Sequence, residues 1–140
     1  METIIVVGFI DSPTGRAAIE AAVGEAKRRR GRLVVVHSMR GAGHESPAQI
    51  MAARNSVEAL GARLHARGVE HEIHELVRGL SPAEDITRYA EEIGADLIVV
   101  GYRRRSPAGK LLLGSDSRDV LLSATCPVLA VQAPDDGPGD

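Results

Sequence analysis

The sequence predicts an α/β fold built around an open parallel sheet, and three observations carry that reading. Short, unbroken aliphatic runs recur along the chain, stretches with a helical apolar period separate them, and the two alternate in order. A short continuous apolar run suits a strand covered on both faces. Thr3–Val7, Leu33–His37, Leu97–Val100 and Pro127–Val131 read that way. Val69–Leu76 alternates polar and apolar residues instead, which places it at an exposed edge.

Between these runs the period changes. Ala18, Ile19, Ala22, Val23 and Ala26 form a stripe with i, i+3, i+4 spacing. Ile50, Ala53, Val57, Leu60 and Leu64 form a second, and Ala83, Ile86, Ala90 and Ile93 a third. A shorter fourth helix is expected over Ser115–Ala124. The resulting order β-α-β-α-β-α-β-α-β calls for right-handed crossovers. Helix starts are marked at Ser12-Pro13, Ser46-Pro47 and Ser81-Pro82, the last two with Gln49 or Glu84 placed for a capping box. Gly31, Gly68 and Gly94 follow the stripes, where a left-handed cap favours glycine.

Length and composition narrow the function classes. A chain of 140 residues fits one domain, here 1–132, followed by a Pro-, Gly- and Asp-rich tail at 133–140 that is expected to be disordered. The formal charge of −2 argues against whole-surface attraction to nucleic acid or anionic membrane. Aromatic residues make up only 2%, too few for a base-stacking platform. One cysteine, Cys126, excludes an internal disulfide and a four-cysteine zinc site. No run is apolar for long enough to span a bilayer, and the early run Thr3–Ile10 lacks the features of a signal peptide, so a cytoplasmic protein is expected.

The informative segment is Gly101–Ser115, which leaves the fourth aliphatic run and enters the last helix. It is long for a strand-to-helix loop and carries Arg103, Arg104, Arg105 and Lys110. In open parallel sheets, ligands bind beyond the carboxyl ends of the strands where the winding reverses. The last helix also lacks the Ser-Pro start of the others. It opens Gly114-Ser115-Asp116-Ser117 and keeps its early amides. Bare amides and the helix dipole attract an anion, and glycine admits a phosphate close to the backbone. Asp116 opposes this, because a first-turn carboxylate already satisfies the dipole. An ordinary cap, with Gly114 serving turn geometry, is the alternative.

Here the chain resembles the universal stress proteins. The resemblance rests on Val7-Gly8, on the run Gly94–Gly101, on Leu111–Ser115 and on Cys126–Val131, and it covers roughly Thr3 to Gln132. It implies a Rossmann-like, doubly wound open five-stranded parallel sheet of order 3-2-1-4-5 with helices on both faces. It also implies a homodimer paired through the last strand and a regulatory protein, not an enzyme, that binds ATP or another adenine nucleotide. The family's motif is Gly, two residues, Gly, nine residues, Gly, then Ser or Thr. Gly101, Gly114 and Ser115 match it, and Ser117 matches a hydroxyl often found there. By resemblance, Gly114, Ser115 and Ser117 hold phosphates, while Gly8, Val100 and Gly101 line the nucleoside cleft between the first and fourth strands. Occupancy would order the Gly101–Ser115 loop for a protein partner to read.

Two positions depart from the pattern. Arg104 stands where the second motif glycine belongs, and Ile10 stands where nucleotide-binding members often carry Asp. These favour a second reading, a nucleotide-free dimeric interaction module for stress responses with the same fold.

Other signals read as ordinary. Lys27–Arg30 sits at a helix C-terminus, where cations suit the dipole. His71 and His74 fall on opposite faces of a strand, a poor arrangement for a shared metal. His37 reads as a packed residue, Cys126 as a small hydrophobe, and Glu91-Glu92 as helix surface.

Overall fold

In the computed structural model, the described residues are 2–10, 12–39, 43, 45–104, 111–112 and 114–134, without the side chains of Arg104, Leu111, Leu112 and Ser115. The strands are β1 (Ile4–Gly8), β2 (Arg32–Met39), β3 (His71–Val77), β4 (Leu97–Arg104), β5 (Leu111–Leu112) and β6 (Val128–Gln132). The helices are α1 (Pro13–Arg29), α2 (Pro47–Ala66), α3 (Pro82–Ile93) and α4 (Ser115–Ser123). The five parallel strands lie in the order β3-β2-β1-β4-β6, which is the expected 3-2-1-4-5 with β6 as the fifth. The sixth strand was not expected. Arg103 and Arg104 prolong β4 past the sheet's carboxyl edge, and Leu111-Leu112 folds back on them antiparallel.

Alternation along β1, β2 and β4 divides the core. Ile5, Val7, Leu33, Val35, Leu97 and Val99 face α1 and α2. Val6, Val34, Val36, Ile98 and Val100 face α3 and α4. Both faces are therefore covered, and the unbroken aliphatic runs follow from that. Among the described residues β3 pairs with β2 alone and forms one edge, in keeping with its alternating pattern.

The first stripe is buried throughout, from Ala18 to Ala26. The second is a partial correction. Only Leu60 and Leu64 of α2 are buried, while Ile50 is exposed and its neighbour Met51 is 60% exposed. The amino-terminal half of α2 has no buried residue, so its apolar stripe joins the core through the carboxyl-terminal half. Helix capping brings two further corrections. Ser46 and Gln49 form the reciprocal box, but at Ser81 the Glu84 carboxylate accepts from the serine hydroxyl instead of the cap amide. The left-handed cap of α1 is Arg30, at φ 52°, not Gly31. Gly31 serves packing instead. A Cβ there would lie 2.5 Å from the Thr3 carbonyl oxygen, so glycine lets the turn into β2 pass β1 closely.

At the other end, Ala133 is buried and its amide donates to the Tyr102 carbonyl at 2.7 Å, one residue past the expected boundary. The rest of the expected tail, residues 135–140, lies outside the described residues.

Candidate functional site

The chain runs β1 to β2 to β3 in one direction across the sheet and then crosses back to place β4 on the other side of β1. The carboxyl ends of β1 and β4 therefore diverge, which opens a crevice at the point of reversal. A cavity of about 600 Å³, part of it open to solvent, occupies this place. β1 contributes Gly8, with Phe9 and Ile10 just beyond it, and β4 contributes Val99, Val100 and Gly101. α1 adds Thr14 and Gly15, β2 adds Val36 and Ser38, and α4 adds Asp116, Ser117 and Val120.

Close backbone approach shapes the rim. A Cβ on Gly101 would sit 2.2 Å from the Thr14 carbonyl oxygen, so only glycine lets the start of α1 lie against β4. Ser12 caps that start, its hydroxyl accepting the Gly15 amide at 3.1 Å.

α4 begins differently. Gly114 is its N-cap and, among the described residues, no side chain caps it. Gly114 adopts φ −59° and ψ 159°, which any residue can take, and an added Cβ would meet nothing within 4 Å. Neither turn geometry nor packing among the described residues asks for glycine there. The Ser117 hydroxyl donates to the Gly101 carbonyl at 2.9 Å, fastening α4 to β4. Its proton is thus engaged, and toward the cavity it has lone pairs. Asp116 brings a carboxylate to the same wall. Of the expected site residues, Gly8, Val100, Gly101 and Ser117 line one cavity, and Gly114 caps the helix beside it. The side chains of Ser115 and Arg104 lie outside what the structure describes.

Sequence reasoning missed a polar cluster at the opposite end of the cleft. Asp85, in the first turn of α3, is fully buried. It accepts from the Ser38 hydroxyl and, at 3.0 Å, from Arg78 Nε. Arg78 also donates to Glu92 at 3.1 Å, and the bond to Asp85 is the main cause raising its pKa. The only available signal was an acidic residue inside the apolar stripe Ala83–Ala90, which also suits a helix start.

The profile of the universal stress protein family matches residues 1–132. The chain belongs to the universal stress protein family. A universal stress protein of Mycolicibacterium smegmatis is 39% identical over 129 residues, covering 92% of this chain and 97% of that protein. The structure of a universal stress protein from Archaeoglobus fulgidus superposes with a TM-score of 0.81 at 37% identity, covering 94% and 98% of the two chains. Another from that organism, in complex with dAMP, gives 0.75 at 31% identity with the same coverage.

In this universal stress protein, two titratable groups near the sheet behave as packed residues. His37 is half-buried beside Phe9, with ring centroids 6.2 Å apart, and its buried Nδ1 has no hydrogen-bond partner among the described residues. Burial lowers its pKa, an effect only partly opposed by Glu75 and Glu45. Above about pH 7.5 the ring is neutral whether the chain is folded or not. As pH falls below that value the unfolded chain takes the proton first. Stability then drops, levelling off below the depressed folded-state pKa. Urea midpoints should therefore fall between about pH 7.5 and pH 5.5, and fall less in His37→Leu. An equal fall in the variant would place the effect elsewhere. Cys126 has its thiol pKa raised, first by burial and then by Asp96, the opposite of an activated nucleophile. Among the described residues no His, Cys, Asp and Glu group could hold a metal ion, and no helix is long and apolar enough to cross a membrane.

Proposed function

We propose that this universal stress protein is a regulator that binds an adenine nucleotide, ATP foremost, in the cleft between β1 and β4, and that a protein partner reads its occupancy. The observation that carries this reading is Gly114. Neither backbone geometry nor packing among the described residues requires glycine there, yet it stands at the bare amino end of α4 beside the open crevice between β1 and β4. A ligand phosphate approaching the helix amides supplies the missing reason. The relative described in complex with dAMP supports the same ligand class. In this proposal Gly114, Ser115 and Ser117 contact phosphates, Ser117 through its backbone amide because its hydroxyl proton is held by the Gly101 carbonyl, and Gly8, Val100 and Gly101 line the nucleoside part. The protein acts as a binder, and sustained phosphate release that disappears on changing Ser115 would contradict that. Calorimetric titration with ATP, ADP and AMP tests the core of the reading. Absence of heat at millimolar ligand, together with no nucleotide released from denatured protein, would defeat it.

Asp116 favours the second reading, a nucleotide-free interaction module, because it lines the cavity from the first turn of α4, where a carboxylate satisfies the dipole and opposes a second anion. It also offers a measurement. If phosphate occupies this wall, Asp116→Asn should tighten ATP binding by about threefold to tenfold, the usual worth of one partly screened charge. An unchanged affinity would remove phosphate from that position.

A homodimer through β6 belongs to the same proposal. Among the described residues β6 pairs with β4 alone, and Leu121, Leu122 and Leu129 are exposed nearby. An apolar strand edge of this kind is normally covered, here by an isologous pairing. Light scattering should give twice the 14.8 kDa chain mass. A monomer mass would contradict the pairing.

A further inference from the structure

The polar cluster around Asp85 bears on what the cleft selects. Ser38 lies on β2, two residues after Val36, and so shares the face that α3 covers. Its hydroxyl donates to Asp85 Oδ2, while Oδ1 accepts from Arg78 Nε at 3.0 Å. Arg78 is held in turn by the Asp85 carbonyl at 3.4 Å and by Glu92 at 3.1 Å. A carboxylate paired with a guanidinium accepts and does not donate. Ser38 therefore spends its single proton on Asp85. Because Asp85 is fully buried, turning that proton elsewhere would leave a carboxylate oxygen unsatisfied. Ser38 also lines the cleft, so what it can show a ligand is lone pairs.

The sheet order says which part of a ligand meets it. β2 and β4 flank β1, about two strand spacings or ~10 Å apart. With phosphates at the start of α4, beside β4, the base of a nucleotide lying across β1 reaches the β2 side.

Resting on the nucleotide reading above, we propose that Ser38, oriented by the buried carboxylate of Asp85, is a specificity-determining acceptor that selects a base carrying an amino donor over one carrying a carbonyl at the same position. Adenine satisfies it with its exocyclic amino group. Hypoxanthine sets a carbonyl oxygen against the serine lone pairs. Asp85 and Arg78 are positioning residues in this arrangement.

Calorimetric titration with ATP and with inosine triphosphate tests it, since the two differ only at the base edge. The wild type should bind ATP about tenfold or more tightly than inosine triphosphate. In Ser38→Ala the ratio should approach one, because ATP loses its acceptor and inosine triphosphate loses the opposing lone pairs, and Ser38→Thr should restore it. Asp85→Asn, if it folds by thermal melting, should let the hydroxyl turn and improve inosine triphosphate binding. If Asp85→Asn does not fold, the alanine and threonine variants decide. Equal affinities in the wild type, or an unchanged ratio in Ser38→Ala, would overturn the role of Ser38 while leaving nucleotide binding intact. No binding of either nucleotide by the wild type would instead defeat the nucleotide reading itself, and this role with it.

Discussion

Replacing Gly101 with alanine should destabilise the fold on the order of 3 kcal/mol, although only one methyl group is added. The new Cβ would stand 2.2 Å from the Thr14 carbonyl oxygen and 2.8 Å from its carbon. These are backbone atoms in the first turn of α1, so no side-chain rotation relieves the clash. Either α1 slides away from β4 or β4 bends, and both separate surfaces that bury Ala18, Val99 and their neighbours. The Gly101 carbonyl also accepts the Ser117 hydroxyl, so a displaced β4 loosens the start of α4 as well. Urea denaturation should show the loss directly, and the melting temperature should fall by roughly 10 °C. A change below about 0.5 kcal/mol would mean that the start of α1 is free to move and does not rest on this contact.

Gly114→Asp should do the reverse in the absence of ligand. The backbone at Gly114, φ −59° and ψ 159°, closely matches the serine N-caps of α2 and α3. An aspartate there can accept a helix amide and place a negative charge at the positive end of the dipole. The free protein should gain about 0.5–1 kcal/mol. The same carboxylate occupies the amides that a phosphate needs and repels it, so ATP affinity should fall about a hundredfold. Opposite signs in stability and binding are hard to obtain by any route other than competition for one site. If ATP still binds with wild-type affinity, the start of α4 is an ordinary cap and the nucleotide-free module becomes the better account.

The two substitutions separate glycines that look alike in the motif. Gly101 is required by packing within the chain, whereas nothing among the described residues explains Gly114. The family motif placed both at the cleft but could not assign these different reasons, because the atoms that crowd Gly101 come from Thr14, 87 positions earlier. The polar cluster was hidden for the same cause. Ser38 and Asp85 are 47 residues apart, and neither is unusual beside its own neighbours.

What the sequence by itself determined is local and periodic. Strand-length aliphatic runs and helical stripes set the order of elements, and Ser-Pro starts marked three helices because capping involves residues within one turn. The strand order came from family resemblance, since hydrophobic period does not say which strands become neighbours. The tertiary structure alone decided which half of α2 is buried, that Arg30 takes the left-handed cap, and that a carboxylate on α3 orients a hydroxyl on β2. Each of these depends on what another part of the chain places alongside, and a contact between distant segments leaves little trace in the residues on either side of it.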